Sequence, residues 1–439
     1  MMEDRGMQMK TLIKNGRVLD PATKKDGIYD VLIEDGIIKE IEKNLNLEVD
    51  NMIDATGCFV MPGLIDLHVH FREPGFEHKE TIRTGSRAAA KGGFTTVCAM
   101  PNTRPVVDNL DTLKYVIDKA KEVTKINVLP IAAITAGQEG EFITDIEKLF
   151  KNGAVAISED GKSVMDARVC RQAMRLAAEV GVPVFAHCED KALAARGVLN
   201  AGNKAKELGV YGIMNIVEDT IVARDILIAK NTGAQLHLCH CSTQDSVRMV
   251  ALAKKEGLPV TAEVCPHHFA MSEDDITSDD ANFKMNPPLR SRKDVEALRL
   301  GLKNDIMDVI ATDHAPHHIT EKSLSLDEAP FGITGLETAV SLTITTLVET
   351  GYITPMQMAE KMSYNPAKII GLDKGTLLPG KIADITIINP DIEYIIDSST
   401  FVSLGKNTPF NGKKVKGKVM TTIVAGEVVY SAVAKAEAE

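Results

Sequence analysis

The stretch Gly63-Leu-Ile-Asp-Leu-His-Val-His70 decides how this chain folds. It begins as an apolar run and ends on two histidines spaced i, i+2, which a strand turns to one side. Four other apolar runs end on residues of the same chemical kind. They are Ile157-Ser-Glu-Asp160, Val184-Phe-Ala-His187, Leu238-Cys-His240 and Ile310-Ala-Thr-Asp313. Histidine and aspartate are seldom buried without partners, so packing alone does not account for them. Between Met61 and about Gly371 apolar strands alternate with amphipathic helices. Strands are expected at 63–69, 94–100, 127–134, 153–158, 182–187, 235–240, 259–265 and 308–313. Helices are expected at 81–91, 168–180 and 243–256, each followed by glycine, a usual helix stop. Eight strand–helix units predict an α/β fold, a (β/α)8 TIM-type barrel. The residues ending strands one, four, five, six and eight would then share one mouth.

Outside this segment the texture is short and β-like. Asn15-Gly16 and Asp35-Gly36 read as hairpin turns near the start, and Ala425-Gly426 as a turn near the end. Neither end is long enough to be stable alone, so both are expected to build one small β-sandwich. The predicted division is 1–60 and 372–430 for the sandwich, 61–371 for the barrel, and 431–439 for a fraying tail.

Composition narrows the classes of function. Trp is absent and aromatics are 4% of 439 residues, which suits an aliphatic α/β core. A formal charge of −11 disfavours nucleic acid, though a local cationic pocket can still take a small anion. No apolar run approaches about 18 residues, so no membrane span is expected. The first ten residues lack the apolar core of a signal peptide and read as a leader remnant. Seven cysteines without scaffold spacing predict reduced thiols and a cytoplasmic location.

His68, His70, His187 and His240 with Asp160 and Asp313 suit a borderline divalent ion such as zinc. Cys239 and Cys241 flank His240, but strand alternation predicts that both point away if His240 points inward. Arg72, two residues past His70, can offer an anion a planar fork of donors. Asn102 after strand two and His317 after strand eight could converge on the same anion. The plainer alternatives are a surface ion pair for Arg72, a turn for Asn102 and solvated loop residues for His317 and His318. His267-His268 reads as a supporting pair, and the polar segment 319–330 as a mobile cover.

The chain resembles the dihydroorotases of the amidohydrolase superfamily, in particular the bacterial type whose bridging ligand is aspartate. The resemblance spans nearly the whole chain. Its most specific carriers are Asp66-Leu-His-Val-His-Phe-Arg-Glu-Pro-Gly75, Ala99-Met-Pro-Asn-Thr-Arg-Pro105 and Ala311-Thr-Asp-His-Ala-Pro-His317. Glu159-Asp-Gly161, His187-Cys-Glu189, His240-Cys-Ser-Thr243 and Asn286-Pro-Pro-Leu-Arg290 add to it. It implies one zinc held by His68, His70 and Asp313, a second by His187 and His240, and Asp160 between them. Single-metal occupancy is also compatible with this set. Many superfamily members bridge through a carboxylated lysine. Here Lys162 lies two residues beyond Asp160, and Glu159 is expected to face the other way, as a supporting or surface carboxylate.

The resemblance further implies reversible closure of N-carbamoyl-L-aspartate to (S)-dihydroorotate and water, a step of pyrimidine synthesis. A metal-bridged hydroxide would attack, with Asp313 as general base and acid. His70, Arg72, Asn102, Asn286, His317, Phe331 and Gly332 would contact substrate. A homodimer and docking with aspartate transcarbamoylase are the expected assemblies. Rival readings are a hydantoinase, dihydropyrimidinase or allantoinase, or a catalytically silent partner of transcarbamoylase. Arg72 argues against the first group, and the complete ligand set argues against the last. Ring closure turns a dianion into a monoanion and takes up a proton, so lower pH should favour the ring.

Overall fold

The computed structural model describes residues 9–432, so most of the expected leader stretch and of the expected tail lie outside the described residues. Eight parallel strands close on themselves. In order they are Leu64–Val69, Phe94–Ala99, Asn127–Pro130 continued by Ala132–Ala133, Ile157–Ser158, Val184–Ala186, Leu236–Leu238, Val260–Val264 and Val309–Ile310. Parallel pairing runs from each strand to the next. Closure between the last and first strands comes through the Val69–His314 bridge and the His70 N–H to His314 carbonyl bond of 2.8 Å. The expected (β/α)8 barrel is therefore formed.

Several strands are shorter than the apolar runs that announced them. Their carboxyl ends leave the ladder just where the histidines and aspartates begin. Helix starts follow capping chemistry: Thr81 and Thr84 form a reciprocal box at Ile82–Lys91, and Asp166 caps Ala167–Val180. Gly181 ends the latter helix at φ 80°, a conformation that costs glycine little.

Two layers of core hold the barrel. Outside, strands and helices share an aliphatic layer that includes Val69, Val97, Ile157 and Leu238. Inside, Ile65, Leu67, Cys98, Ile131, Phe185 and Ala311 fill the cylinder. Burying each such large side chain is worth roughly 1.5–3 kcal/mol. The cylinder is thus a packed floor beneath the mouth and not a pore.

The two chain ends form one eight-stranded sheet, as their shared β texture predicted. They join where Phe59–Pro62 pairs antiparallel with Ile385–Ile395. The sheet curls until the Asp35-Gly36 turn touches Ala425-Gly426. Its core draws Ile13, Val31, Ile38 and Val60 from one end and Ile385, Ile387 and Ile423 from the other. One expected turn is absent. Asn15-Gly16 lies inside the continuous strand Lys10–Asp20, as a bulge where the register shifts between Ile13 and Gly16. Asn15 takes φ 60°, and a Cβ on Gly16 would come within 2.3 Å of Val60, so the pair serves close packing instead of chain reversal.

Candidate metal centre and substrate cavity

The six strand-end residues expected to hold metal meet at the barrel mouth, all buried. His68 Nε2 lies 3.3 Å from Asp160 Oδ1 and 3.6 Å from Asp313 Oδ1. His70 Nε2 is 3.1 Å from Asp313 Oδ1 and 3.4 Å from Asp160 Oδ2. On the other side, His187 Nδ1 and His240 Nε2 are 2.8 Å apart, at 3.5 and 3.7 Å from Asp160 Oδ1. Asp160 stands between the two groups.

Backbone irregularity aims these side chains. The ladder between strands one and two shifts register between Asp66 and Val69, so Ile65 and Leu67 face the interior core while His68 and His70 reach the mouth. His240 at φ 33°, Asp313 at φ 47° and Arg72 at φ 63° all occupy the left-handed region. Such conformations cost of order 1–3 kcal/mol and persist where surrounding structure over-determines them. The twist at His240 also corrects an expectation from strict alternation. Cys241 packs in the outer layer, but Cys239 joins the interior core, because the strand pattern breaks between Cys239 and His240.

Three of the four histidines have their far nitrogen committed. His68 Nδ1 meets Glu263 Oε1 at 2.7 Å, His70 Nδ1 meets Asn102 Oδ1 at 2.9 Å, and His187 Nε2 meets Glu189 Oε2 at 3.1 Å. An N–H donated outward leaves the inward nitrogen with a free lone pair, the form a metal requires. His68 Nε2 and Asp160 Oδ1 have no hydrogen-bond partner despite complete burial. Two close but misaligned acceptors suit a cation between them better than each other. The donor set therefore fits divalent metal ions.

Charge within the site agrees. Burial pushes the His68 imidazole pKa down, but Asp160, Glu263 and Asp313 outweigh it and carry it well above the ordinary value. His187 is likewise penalised by burial yet lifted to about 10, chiefly by Asp160 and Glu189. Burial raises Asp160, but His68, His187 and His240 hold its carboxyl far below the usual range. The cluster favours cations at its centre.

Arg72, Asn102, Asn286, Phe331 and Gly332 line a cavity of about 150 Å³ directly above this cluster. Asn102 thus has two tasks: its carbonyl orients His70, and its amide nitrogen faces Gly161 on the cavity wall. His317 is placed differently from expectation, one layer behind the wall. Its Nε2–H donates to the Phe331 carbonyl at 2.8 Å, and Lys79 donates to Nδ1 at 3.3 Å. The Arg72 guanidinium lies 3.3 Å from the same ring, and Arg72 Nε donates to Pro316 O at 3.2 Å. Burial, with Arg72 and Lys79 nearby, presses His317 down to about 2, so its ring is neutral; with Nε2–H given to Phe331, it packs beside Arg72 and leaves the Pro316 carbonyl as the acceptor that holds the guanidinium. Burial also pulls Arg72 down to about 10, against Asp313 and Asp160, which leaves it charged at neutral pH.

Several other expectations are settled by position. Lys162 donates to the Gln138 carbonyl at 2.9 Å, outside the cluster. Glu159 is a buried support, bonded to the Thr135 N–H at 3.1 Å. His268 bonds the Pro287 carbonyl at 2.9 Å, and with His267 and Cys265 it forms a separate buried group. Segment 319–330 is anchored: Lys322 is buried and donates to the Pro330 and Gly332 carbonyls at 3.1 and 2.9 Å.

Glu263 was missed by the sequence reading, although a lone acid in the apolar run Val260-Thr-Ala-Glu-Val was a visible signal. It is fully buried and bonds His68, His237 Nε2 at 3.0 Å and the His240 N–H at 3.1 Å. Burial raises its pKa, but His68 and His237 bring it down to about 2. Glu263→Ala should weaken metal retention by about 10–100-fold, because His68 loses the group that sets its tautomer. Chelator competition measures this; unchanged retention would remove Glu263 from that role.

A family model described as dihydro-orotase-like matches residues 57–246. A curated dihydroorotase from Pelotomaculum thermopropionicum is 50% identical over 422 residues, covering 96% of this chain and 98% of its own. One from Syntrophus aciditrophicus is 46% identical over 424 residues, covering 96% and 99%. Among solved structures, an L-hydantoinase (dihydropyrimidinase) from Arthrobacter aurescens aligns over 96% of each chain with a TM-score of 0.87 and 28% identity. A dihydropyrimidinase from Brevibacillus agri NCHU1002 aligns with a TM-score of 0.82 and 25% identity, over 96% of this chain and 95% of its own.

Proposed function

This chain belongs to the dihydroorotase family, and from that premise we propose which of its side chains hold metal, bind substrate and carry the proton. Its activity is the family's: reversible hydrolysis of the cyclic amide of (S)-dihydroorotate to N-carbamoyl-L-aspartate, in pyrimidine synthesis. The carrying observation is a charged arginine, Arg72, in the wall of a cavity shared with the histidine–aspartate cluster.

In this reading His68, His70 and Asp313 hold one zinc ion, His187 and His240 a second, and Asp160 lies between. When bound, such cations acidify water towards neutral pH and polarise a carbonyl oxygen. The Arg72 fork takes the ring carboxylate, and Asn102 and Asn286 donate beside it. The Phe331–Gly332 backbone lies along the ring edge. The Pro316 carbonyl holds Arg72 Nε, and the His317 ring packs against the guanidinium. Asp313 takes the proton of the attacking water and passes it to the ring nitrogen as the carbon–nitrogen bond breaks. In synthesis the same oxygen returns that proton along the reverse path.

Arg72→Ala should raise KM for dihydroorotate by about thirtyfold or more, since truncating a buried, hydrogen-bonded charge costs roughly 2–5 kcal/mol. Bound metal should stay unchanged. The unaltered protein should turn over 5,6-dihydrouracil, which lacks the carboxylate, about 10⁴-fold more slowly than dihydroorotate. Equal rates on the two rings would instead favour a hydantoinase-type enzyme.

The proposal includes a cytoplasmic location, supported by seven buried, unpaired cysteines. No helix among the described residues is long and apolar enough to cross a membrane. A homodimer and docking with aspartate transcarbamoylase rest on family resemblance. Gel filtration of the enzyme alone and mixed with that transcarbamoylase reads both.

A further inference from the structure

Asn407 lies outside the barrel, in the stretch between the Ser398–Thr400 turn and strand Lys414–Val424 of the terminal sheet. Nothing in the sequence around it signals chemistry, yet it is buried at 4% exposure. Its side chain reaches two active-site loops at once. The amide nitrogen donates to the Ala315 carbonyl at 3.2 Å and to the Gly332 carbonyl at 3.0 Å. The amide oxygen accepts the His317 N–H at 3.1 Å. Its own backbone carbonyl accepts the Thr334 N–H at 2.8 Å.

These partners are the parts of the site that meet the substrate's anion. Ala315 and Gly332 are cavity walls. Between the two ends of the Asn407 amide's hydrogen bonds lie Pro316, whose carbonyl accepts from Arg72 Nε, and His317, whose ring packs against the guanidinium. Close packing supports the clamp from below. A Cβ on Gly405 would fall within 2.5 Å of Pro316 Cβ and 2.7 Å of Asn407 Oδ1, so the segment presses on this loop without room to spare. A primary amide is the side chain that can donate and accept here together. Aspartate would face two carbonyl oxygens with a third acceptor, and alanine would leave buried groups unpaired.

We infer that Asn407 is a positioning residue for anion recognition, holding the 315–317 and 331–332 loops so that Arg72 is set for the ring carboxylate. The terminal sheet is then part of the machinery of specificity and not only a neighbour of the barrel. This inference rests on the reading of Arg72 as the carboxylate's partner. Asn407 touches neither the metal cluster nor Asp313, so it bears on binding more than on the chemical step. A displacement of about 1 Å in a positioning group can cost up to about a hundredfold.

The test is a kinetic cycle on the metal-loaded full chain with Asn407→Asp, Asn407→Ala, Arg72→Ala and the Arg72→Ala/Asn407→Asp pair. Metal content and melting temperature are recorded for each. The inference expects KM for dihydroorotate to rise at least about tenfold in both Asn407 variants, with kcat within about threefold and metal content unchanged. It also expects Asn407→Asp to add less than about twofold once Arg72 is alanine, since the group it positions is gone. Unchanged KM in folded Asn407 variants would overturn it. So would an Asn407→Asp effect of full size in the Arg72→Ala background, or a loss confined to kcat. If Arg72→Ala itself leaves KM unchanged, the reading of Arg72 fails first, and the inference falls with it by a separately visible route.

Discussion

Asp313→Asn should abolish turnover in both directions, lowering kcat by about 10³-fold or more. General acid–base catalysis by one positioned group contributes about 10²–10⁴-fold, and each tenfold is about 1.4 kcal/mol of barrier. The substitution removes the proton carrier but leaves an amide oxygen on the metal side, so metal content is measured alongside turnover. Asp313 sits at φ 47°, in the left-handed region that asparagine tolerates better than most residues. The amide keeps the shape and one oxygen next to His70, so the cluster's geometry survives while the transferable proton site is lost. Burial raises the Asp313 carboxyl's pKa, but His68 and His70 hold it well below the ordinary range. It therefore stands ready as a base. Ring opening is followed by ultraviolet absorbance, and closure by the same signal from N-carbamoyl-L-aspartate. Near-normal rates in either direction, with metal retained, would take the proton-carrying role away from Asp313.

Removal of metal should be equally severe. Chelation followed by desalting should bring both directions to background, and added Zn²⁺ should restore them. Activity is only one readout. A ligand bound to the folded state alone stabilises it by about 2.7 kcal/mol at a hundred times its Kd. The stripped protein should accordingly melt at a lower temperature, and zinc should raise it again. The physical ground is the crowding of four imidazoles and two carboxylates with their inward atoms 2.8–3.7 Å apart. Without cations that arrangement holds unpaired buried acceptors, which cost free energy. A protein that keeps full activity and an unchanged melting point after verified metal loss would refute the metal reading entirely.

How much of this was legible in the chain differs from element to element. The alternation of apolar runs and capped helices foretold the barrel, since eight such units have few ways to bury their faces. The histidines and aspartates at strand ends were legible for the same reason: an ionisable residue closing an apolar run must have a partner. Asn15-Gly16 misled because a left-handed Asn beside a glycine serves a bulge as well as a hairpin, and here the close approach of Val60 to Gly16 belongs to the bulge. Cys239 misled because alternation holds only while the strand does, and His240 ends it. His317 lies against Arg72 as its place after strand eight suggested, but its contacts with Phe331 and Lys79 join residues distant in sequence.

Residue type and spacing along single segments were thus enough to specify the layered cylinder, the six metal-suited side chains and an arginine beside them. These are local matters of period, propensity and chemical kind. Which nitrogen of His68, His70 and His187 faces inward, and what positions the loop beside Arg72, came from Glu263, Asn102, Glu189 and Asn407. Each of those contacts joins residues that only tertiary packing brings together, except Glu189 beside His187. A hydrogen bond across such a distance leaves no periodic trace in the sequence, because its geometry exists only once the barrel and the terminal sheet have packed.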